Sequence, residues 1–204
     1  MWYRVSLDST FYVDVNGVKP NVYDSIREKS YNSKTILVFL HGSPGQISNW
    51  KYLVEYFREY YRVIAYDLRG YGESSKPERV SLEDYLSDNK CLLEKLGVRD
   101  NDVVLIGHSF GGVVAQEYAA RYSIASLVLI GSLTRFKPDI IDYIVWYLPS
   151  LFWRKLFFTE NILARKMYRK IFFSNKTPDS VYEEFIRDNK GYLENLPPHV
   201  FLGI

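Results

Sequence analysis

One twelve-residue stretch constrains this chain more than any other: Val103-Val-Leu-Ile-Gly-His-Ser-Phe-Gly-Gly-Val-Val114. An apolar, β-branched run of buried-strand length ends in Gly107-His108-Ser109-Phe110-Gly111, and helical spacing begins at once. A strand can reverse into a helix over so few residues only through a very tight turn. Gly107 and Gly111 stand where side chains would collide, and the turn pushes Ser109 outward at the carboxyl end of the strand. The helix N-terminus beneath it favours developing negative charge. Ser109 is therefore the candidate nucleophile. The plain alternative is a tight turn in an unrelated α/β protein.

The surrounding pattern supplies the context this turn requires. Phe11–Val15 alternates, Asn16-Gly17 suits a hairpin turn, and Val18–Ile26 reads as a return strand weakened by Pro20. Thr35–Leu40 is a continuous apolar run, as expected of a strand covered on both faces. Helical spacing follows over Ser48–Tyr60, with Ser48 or Asn49 as N-cap, then a strand over Tyr61–Tyr66. Ser81–Leu96 opens on a capping-box pattern and stops at Gly97. Asp102–Gly107 is a strand, Phe110–Tyr122 a helix and Ser126–Ile130 a strand. Strands alternating with helices predict the α/β class: a mostly parallel sheet with helices on both faces. After Ser132 only helical segments are legible, so the chain divides into 1–134, a sheet core, and 135–204, a helical insertion.

A second constellation, Phe39-Leu-His-Gly-Ser-Pro-Gly45, follows the buried strand directly. Such a loop can aim a backbone N–H at a carbonyl oxygen. Pro44 has no N–H, so Ser43 is the expected donor, and Phe110, next after Ser109, supplies the other. A third stretch, Tyr66-Asp-Leu-Arg-Gly-Tyr-Gly-Glu-Ser-Ser-Lys-Pro77, also ends a strand. It reads as structural, since nothing in it is placed for proton transfer.

Together these stretches resemble the α/β-hydrolase superfamily over roughly Phe11 to Ser132. Their order and spacing are similar to the esterase, C–C hydrolase and proline-iminopeptidase branches. Epoxide hydrolases and haloalkane dehalogenases share the scaffold but place an aspartate where this chain has Ser109. The resemblance implies acyl transfer: Ser109 attacks, a histidine is the base, an acid orients it, and water releases the acyl group. It makes Ser43 and Phe110 the oxyanion hole, and His41, Gly42, Gly107, His108 and Gly111 structural members of the motifs. The side chain of His108 is expected to point away from Ser109.

The resemblance also implies a lid over 135–204, and an acid and a histidine after Ser109. Leu129–Thr134 holds no carboxylate, and His199, the one later histidine, lacks a strand–loop frame. Asp179, Asp188 and Glu194 read as solvated helix charges. The triad acid and base are thus unassigned, and a C-terminally incomplete member is expected. Ser126–Ile130 would then form an apolar sheet edge, prone to self-association or to completion by a C-terminal chain. The alternatives are a non-catalytic module binding an apolar ligand, and one half of a split hydrolase.

Composition narrows the partners. The formal net charge of +2, from 26 basic and 24 acidic residues, gives no electrostatic reason to expect nucleic acid. A single cysteine, Cys91, excludes an intrachain disulfide and a cysteine-based zinc site; it is expected buried in a helix. No metal or organic cofactor is implied. No apolar run reaches membrane-spanning length, and a cytoplasmic location is the default. The segment 135–204 holds 15 of the 34 aromatic residues, which favours a small apolar acyl or aryl substrate. Arg154, Lys155, Arg165, Lys166, Arg169 and Lys170 read as a solvated helix face in preference to a membrane-surface patch.

Overall fold

A computed structural model describes residues 9–132 and 162–195. They fall into two compact units, one within Met1–Phe136 and the other within Lys137–Gly203. In the first, Phe11–Tyr12 forms β1, Asn21–Asp24 β2, Ile36–Leu40 β3, Lys51–Phe57 α1 and Arg62–Tyr66 β4. Leu82–Lys95 forms α2, Val103–His108 β5, Phe110–Arg121 α3 and Ser126–Ile130 β6. The six strands make one sheet in the order β1-β2-β4-β3-β5-β6. β3, β4, β5 and β6 run parallel, while β1 and β2 are antiparallel additions at one side.

The two central strands are buried at every residue, which explains their continuous apolar runs. Leu37 and Phe39 of β3 share a face with Val63 and Ala65 of β4 and Ile106 of β5. That face packs with Tyr23, Trp50 and Val54 in one apolar cluster, where α1 covers the sheet. Val38, Ile64 and Leu105, alternating with them, lie on the opposite face and are fully buried. There α3 packs on β3, β5 and β6.

Local structure departs from the sequence reading in four places. The Asn16-Gly17 turn forms, both residues at positive φ (48° and 78°), but it closes an isolated bridge between Val15 and Val18. The return strand is only Asn21–Asp24, because the Asp24 carboxylate accepts the Ile26 N–H at 3.1 Å and turns the chain into a 3-10 helix, Ser25–Arg27. The segment expected to be helical from Ser48 starts as a 3-10 helix, Ile47–Trp50, capped at Gln46: the Gln46 N–H donates to Asn49 Oδ1 at 3.1 Å. The Ser81 capping box is present, with Asp84 as its second member. Cys91 is half-buried, not buried, on α2.

Two buried arginines of this unit are ion-paired. Arg62 Nε and a second guanidinium nitrogen donate to the two oxygens of Asp24 at 3.0 and 2.6 Å, with both side chains buried. Arg69 makes the same two-pronged contact with Asp88 at 2.7 Å twice. The far edge is different. β6 pairs with β5 and with no other described strand. Val128, Leu129 and Ile130 remain 41%, 40% and 40% exposed, although they carry an interior strand's residue types.

The second unit is described by its helices α4, Ile162–Phe172, and α5, Asp179–Asn195. Phe173 packs edge-on against Tyr182 and Phe185. Arg165 pairs with Glu183, and Arg169 with Asp179 at 3.1 Å. These two basic residues are thus ion-paired, while Lys166 and Lys170 are exposed. Arg154, Lys155 and His199 lie outside the described residues. No described helix is long and apolar enough to cross a membrane.

The buried pair sets the first expected outcome. Asp24→Ala leaves the Arg62 guanidinium buried with Leu96 O as its remaining partner and costs about 3 kcal/mol or more. Breaking the exposed Arg99–Asp102 pair barely moves the midpoint. Urea unfolding of D24A and D102A, side by side, checks both.

Candidate active site

The site is built where β3, β4 and β5 end and their loops meet. Ser109 sits between β5 and α3 at φ 49°, ψ −117°, a backbone conformation that side chains rarely adopt. Four hydrogen bonds hold it there. Its N–H donates to Ile130 O at 3.0 Å, and its carbonyl accepts from Gly112 N–H at 3.0 Å, Val113 N–H at 3.3 Å and Ser132 Oγ at 2.9 Å. The end of β6 therefore fastens the turn. No described residue hydrogen-bonds the Ser109 hydroxyl.

Close backbone approach explains the two glycines that matter most. A Cβ on Gly111 would lie 2.3 Å from Leu40 O and 2.4 Å from His41 O, so the first turn of α3 is pressed against the end of β3. A Cβ on Gly42 would lie 3.0 Å from Ser109 Cβ and 2.8 Å from His108 Nδ1. The loop after β3 thus touches the Ser109 turn, and Ser43 and Phe110 come to the same end of the sheet as Ser109. Neither the Ser43 nor the Phe110 backbone N–H is hydrogen-bonded to a described residue.

The two described histidines differ in kind. His41 is completely buried. The Leu68 N–H donates to its Nε2 at 3.0 Å, so its proton is on Nδ1, which donates to Gly42 O at 2.8 Å. With both nitrogens engaged it ties the loop after β3 to the loop after β4. Burial pulls its pKa down to about 4. His108 is partly exposed, edge-on to Trp50 at 6.3 Å, with its ring beside Gly42. Burial lowers its pKa as well. No histidine–carboxylate pair reaches Ser109 among the described residues. Nor do these hold a group of three His, Cys, Asp or Glu suited to a metal.

The third stretch supplies scaffold. Asp67 is buried and accepts from Ile47 N–H at 2.7 Å, Glu73 N–H at 2.9 Å and Asn21 Nδ2 at 3.0 Å. Burial pushes its carboxyl above the usual range, opposed by those three donors. One residue of this stretch was not legible as part of the site. Tyr71 places its hydroxyl 3.0 Å from Ser43 Oγ, a contact between residues 28 apart that no local pattern announces.

A strained serine on a strand–turn–helix, beside a loop whose Ser43 amide is unengaged among the described residues, marks an α/β scaffold with an elbow at Ser109. The alpha/beta hydrolase fold family matches residues 35–194, and the chain belongs to it. It is 35% identical over 122 residues to Epoxide hydrolase 4 of Mus musculus, covering 58% of this chain and 33% of that protein. It is 36% identical over 110 residues to a non-heme haloperoxidase of Rhodococcus erythropolis, covering 52% of this chain and 39% of that protein. This chain thus matches little more than a third of these relatives' own length. Among solved structures, an esterase from Exiguobacterium antarcticum superposes with a TM-score of 0.70 at 22% identity, covering 94% of this chain and 70% of that one.

Two expected outcomes follow. Gly111→Ala meets backbone on two sides and costs about 3 kcal/mol, the upper range for overpacking; Gly42→Ala costs less, because the His108 side chain can yield. Chemical denaturation of the two variants checks the order. His41 has its folded pKa below its unfolded value of about 6.5, so its contribution is complete above pH 6.5 and is lost as pH falls towards 4. The loss is on the order of 3 kcal/mol. Unfolding midpoints of wild type and His41→Asn from pH 7.5 to 4 isolate it: their difference must shrink on acidification.

Proposed function

We propose that this chain is a serine hydrolase acting on carboxylic esters or related acyl compounds, with Ser109 as its nucleophile. The observation that carries this reading is Ser109 itself. It is held at φ 49° with its hydroxyl unengaged among the described residues, and the Ser43 and Phe110 amides lie at the same sheet end. In the first step Ser109 Oγ bonds to the acyl carbon as its proton passes to a base. The carbonyl oxygen becomes an oxyanion, stabilised by the Ser43 and Phe110 N–H groups and by the N-terminus of α3. Collapse expels the alcohol with a proton, and water then releases the acid. The reaction as written uses no metal or organic cofactor.

His41 cannot be the base: both its nitrogens are occupied and it stays neutral near pH 7. The acid–histidine pair therefore comes from outside the described residues, in this chain or in a second one. The apolar outer edge of β6 is what an added strand would cover, from this chain or from a second one. We assign residues 135–204 the role of a lid that selects an apolar acyl or aryl group, on their aromatic content.

A fluorophosphonate probe followed by peptide mass analysis tests the proposal. The expected result is one adduct, on Ser109, absent from Ser109→Ala. Absence of any adduct, alone or with a C-terminal fragment of a related hydrolase added, sinks it.

A further inference from the structure

We propose that Tyr71 is a positioning residue that holds both oxyanion donors, Ser43 through its hydroxyl and Phe110 through its ring. The inference rests on the reading of Ser109 as nucleophile with those two amides as its oxyanion hole.

Tyr71 is fully buried, and its side chain meets the side chains of Ser43 and Phe110. Its hydroxyl donates to Ser43 Oγ at 3.0 Å and is also hydrogen-bonded to Tyr85. Its ring stands edge-on to His41, centroids 5.3 Å apart, and 6.4 Å from the Phe110 ring. Tyr85 closes the set, with its ring edge-on to Phe110 at 5.1 Å. The Tyr71 N–H donates to Leu68 O, and the Leu68 N–H donates to His41, so the tyrosine and the histidine share one backbone anchor.

The physical need for such a restraint comes from Gly42. The direction of the Ser43 N–H follows the plane of the Gly42–Ser43 peptide, set by ψ of Gly42 and φ of Ser43. Gly42 has no side chain, and His41 Nδ1 holds the carbonyl end of that plane at 2.8 Å, leaving the Ser43 end to its own side chain. Ser43's own side chain is the nearest handle, and Tyr71 is the described group that holds it. The Phe110 N–H is fixed by the start of α3, whose register on the sheet depends in part on where the Phe110 ring packs. Two donors must converge on one oxygen within a few tenths of an ångström. A side chain that binds both is placed to set their separation. Burial pushes the Tyr71 hydroxyl up to about 12, so it remains a donor across the neutral range.

Tyr71→Phe keeps the ring and removes the hydroxyl. With the fluorophosphonate probe, the rate of Ser109 labelling is expected to fall about ten-fold, less than the loss on deleting a donor outright. Ser43→Ala keeps the backbone N–H and is expected to give the same fall. Because both remove one contact, the double variant falls no further. Losses that multiply, or a Y71F rate equal to wild type, overturn the proposal. A readout independent of reactivity accompanies it. In the 1H–15N spectrum of the full chain, Y71F must shift the Ser43 amide, and Y71A both Ser43 and Phe110. Unmoved signals overturn the inference whether or not Ser109 reacts. Shifted signals in a protein that never labels support the positioning and sink the nucleophile reading alone.

Discussion

The whole unit depends on one backbone crossing that leaves no room for a methyl group. Where α3 begins, Gly111 lies against the carbonyls of Leu40 and His41, closer than any side chain permits. That crossing makes β3 and β5 neighbours at their carboxyl ends, brings Gly42 up to Ser109, and lets the β6 end hold Ser109 from the other side. The strain at Ser109 survives because these contacts over-determine it. An alanine at Gly111 moves backbone, not merely side chains.

The loops around the crossing are held by saturated polar groups. Asp67 gathers two backbone N–H groups and an asparagine from three separate segments. His41 uses one nitrogen as donor and the other as acceptor to join two loops. Each buried group costs desolvation, offset only when its partners are complete. The consequence is that the irregular loops at this end of the sheet are tied to one another by buried polar contacts.

Much of this was legible because it is local. The Asn16-Gly17 turn, the Ser81–Asp84 capping box and the Val103–Val114 strand–turn–helix each need only residues a few positions apart. The continuous apolar run of β3 declared a strand covered on both faces. What was not legible depends on distant partners or on a competing local bond. β2 shortens because Asp24 bonds the Ile26 amide and pairs with Arg62, 38 residues away. The helical segment after β3 is capped at Gln46, not at Ser48 or Asn49, because the Asn49 side chain reaches back to the Gln46 N–H. Tyr71 joins the site through Ser43, and its own neighbours, glycines and a leucine nearby, give no sign of it.

The outer edge of β6 has a property that its exposure alone does not convey. Most strands record which way they face, since a slip of one residue would bury polar groups and expose apolar ones. Leu127, Val128, Leu129 and Ile130 are apolar on both faces, so a slip here exchanges like for like. The edge specifies that a neighbour fits but not at which step of the ladder. Any strand that pairs with it must bring its own ruler, in the form of a short connection, a helix packed on one side, or a polar residue that refuses one of the two faces.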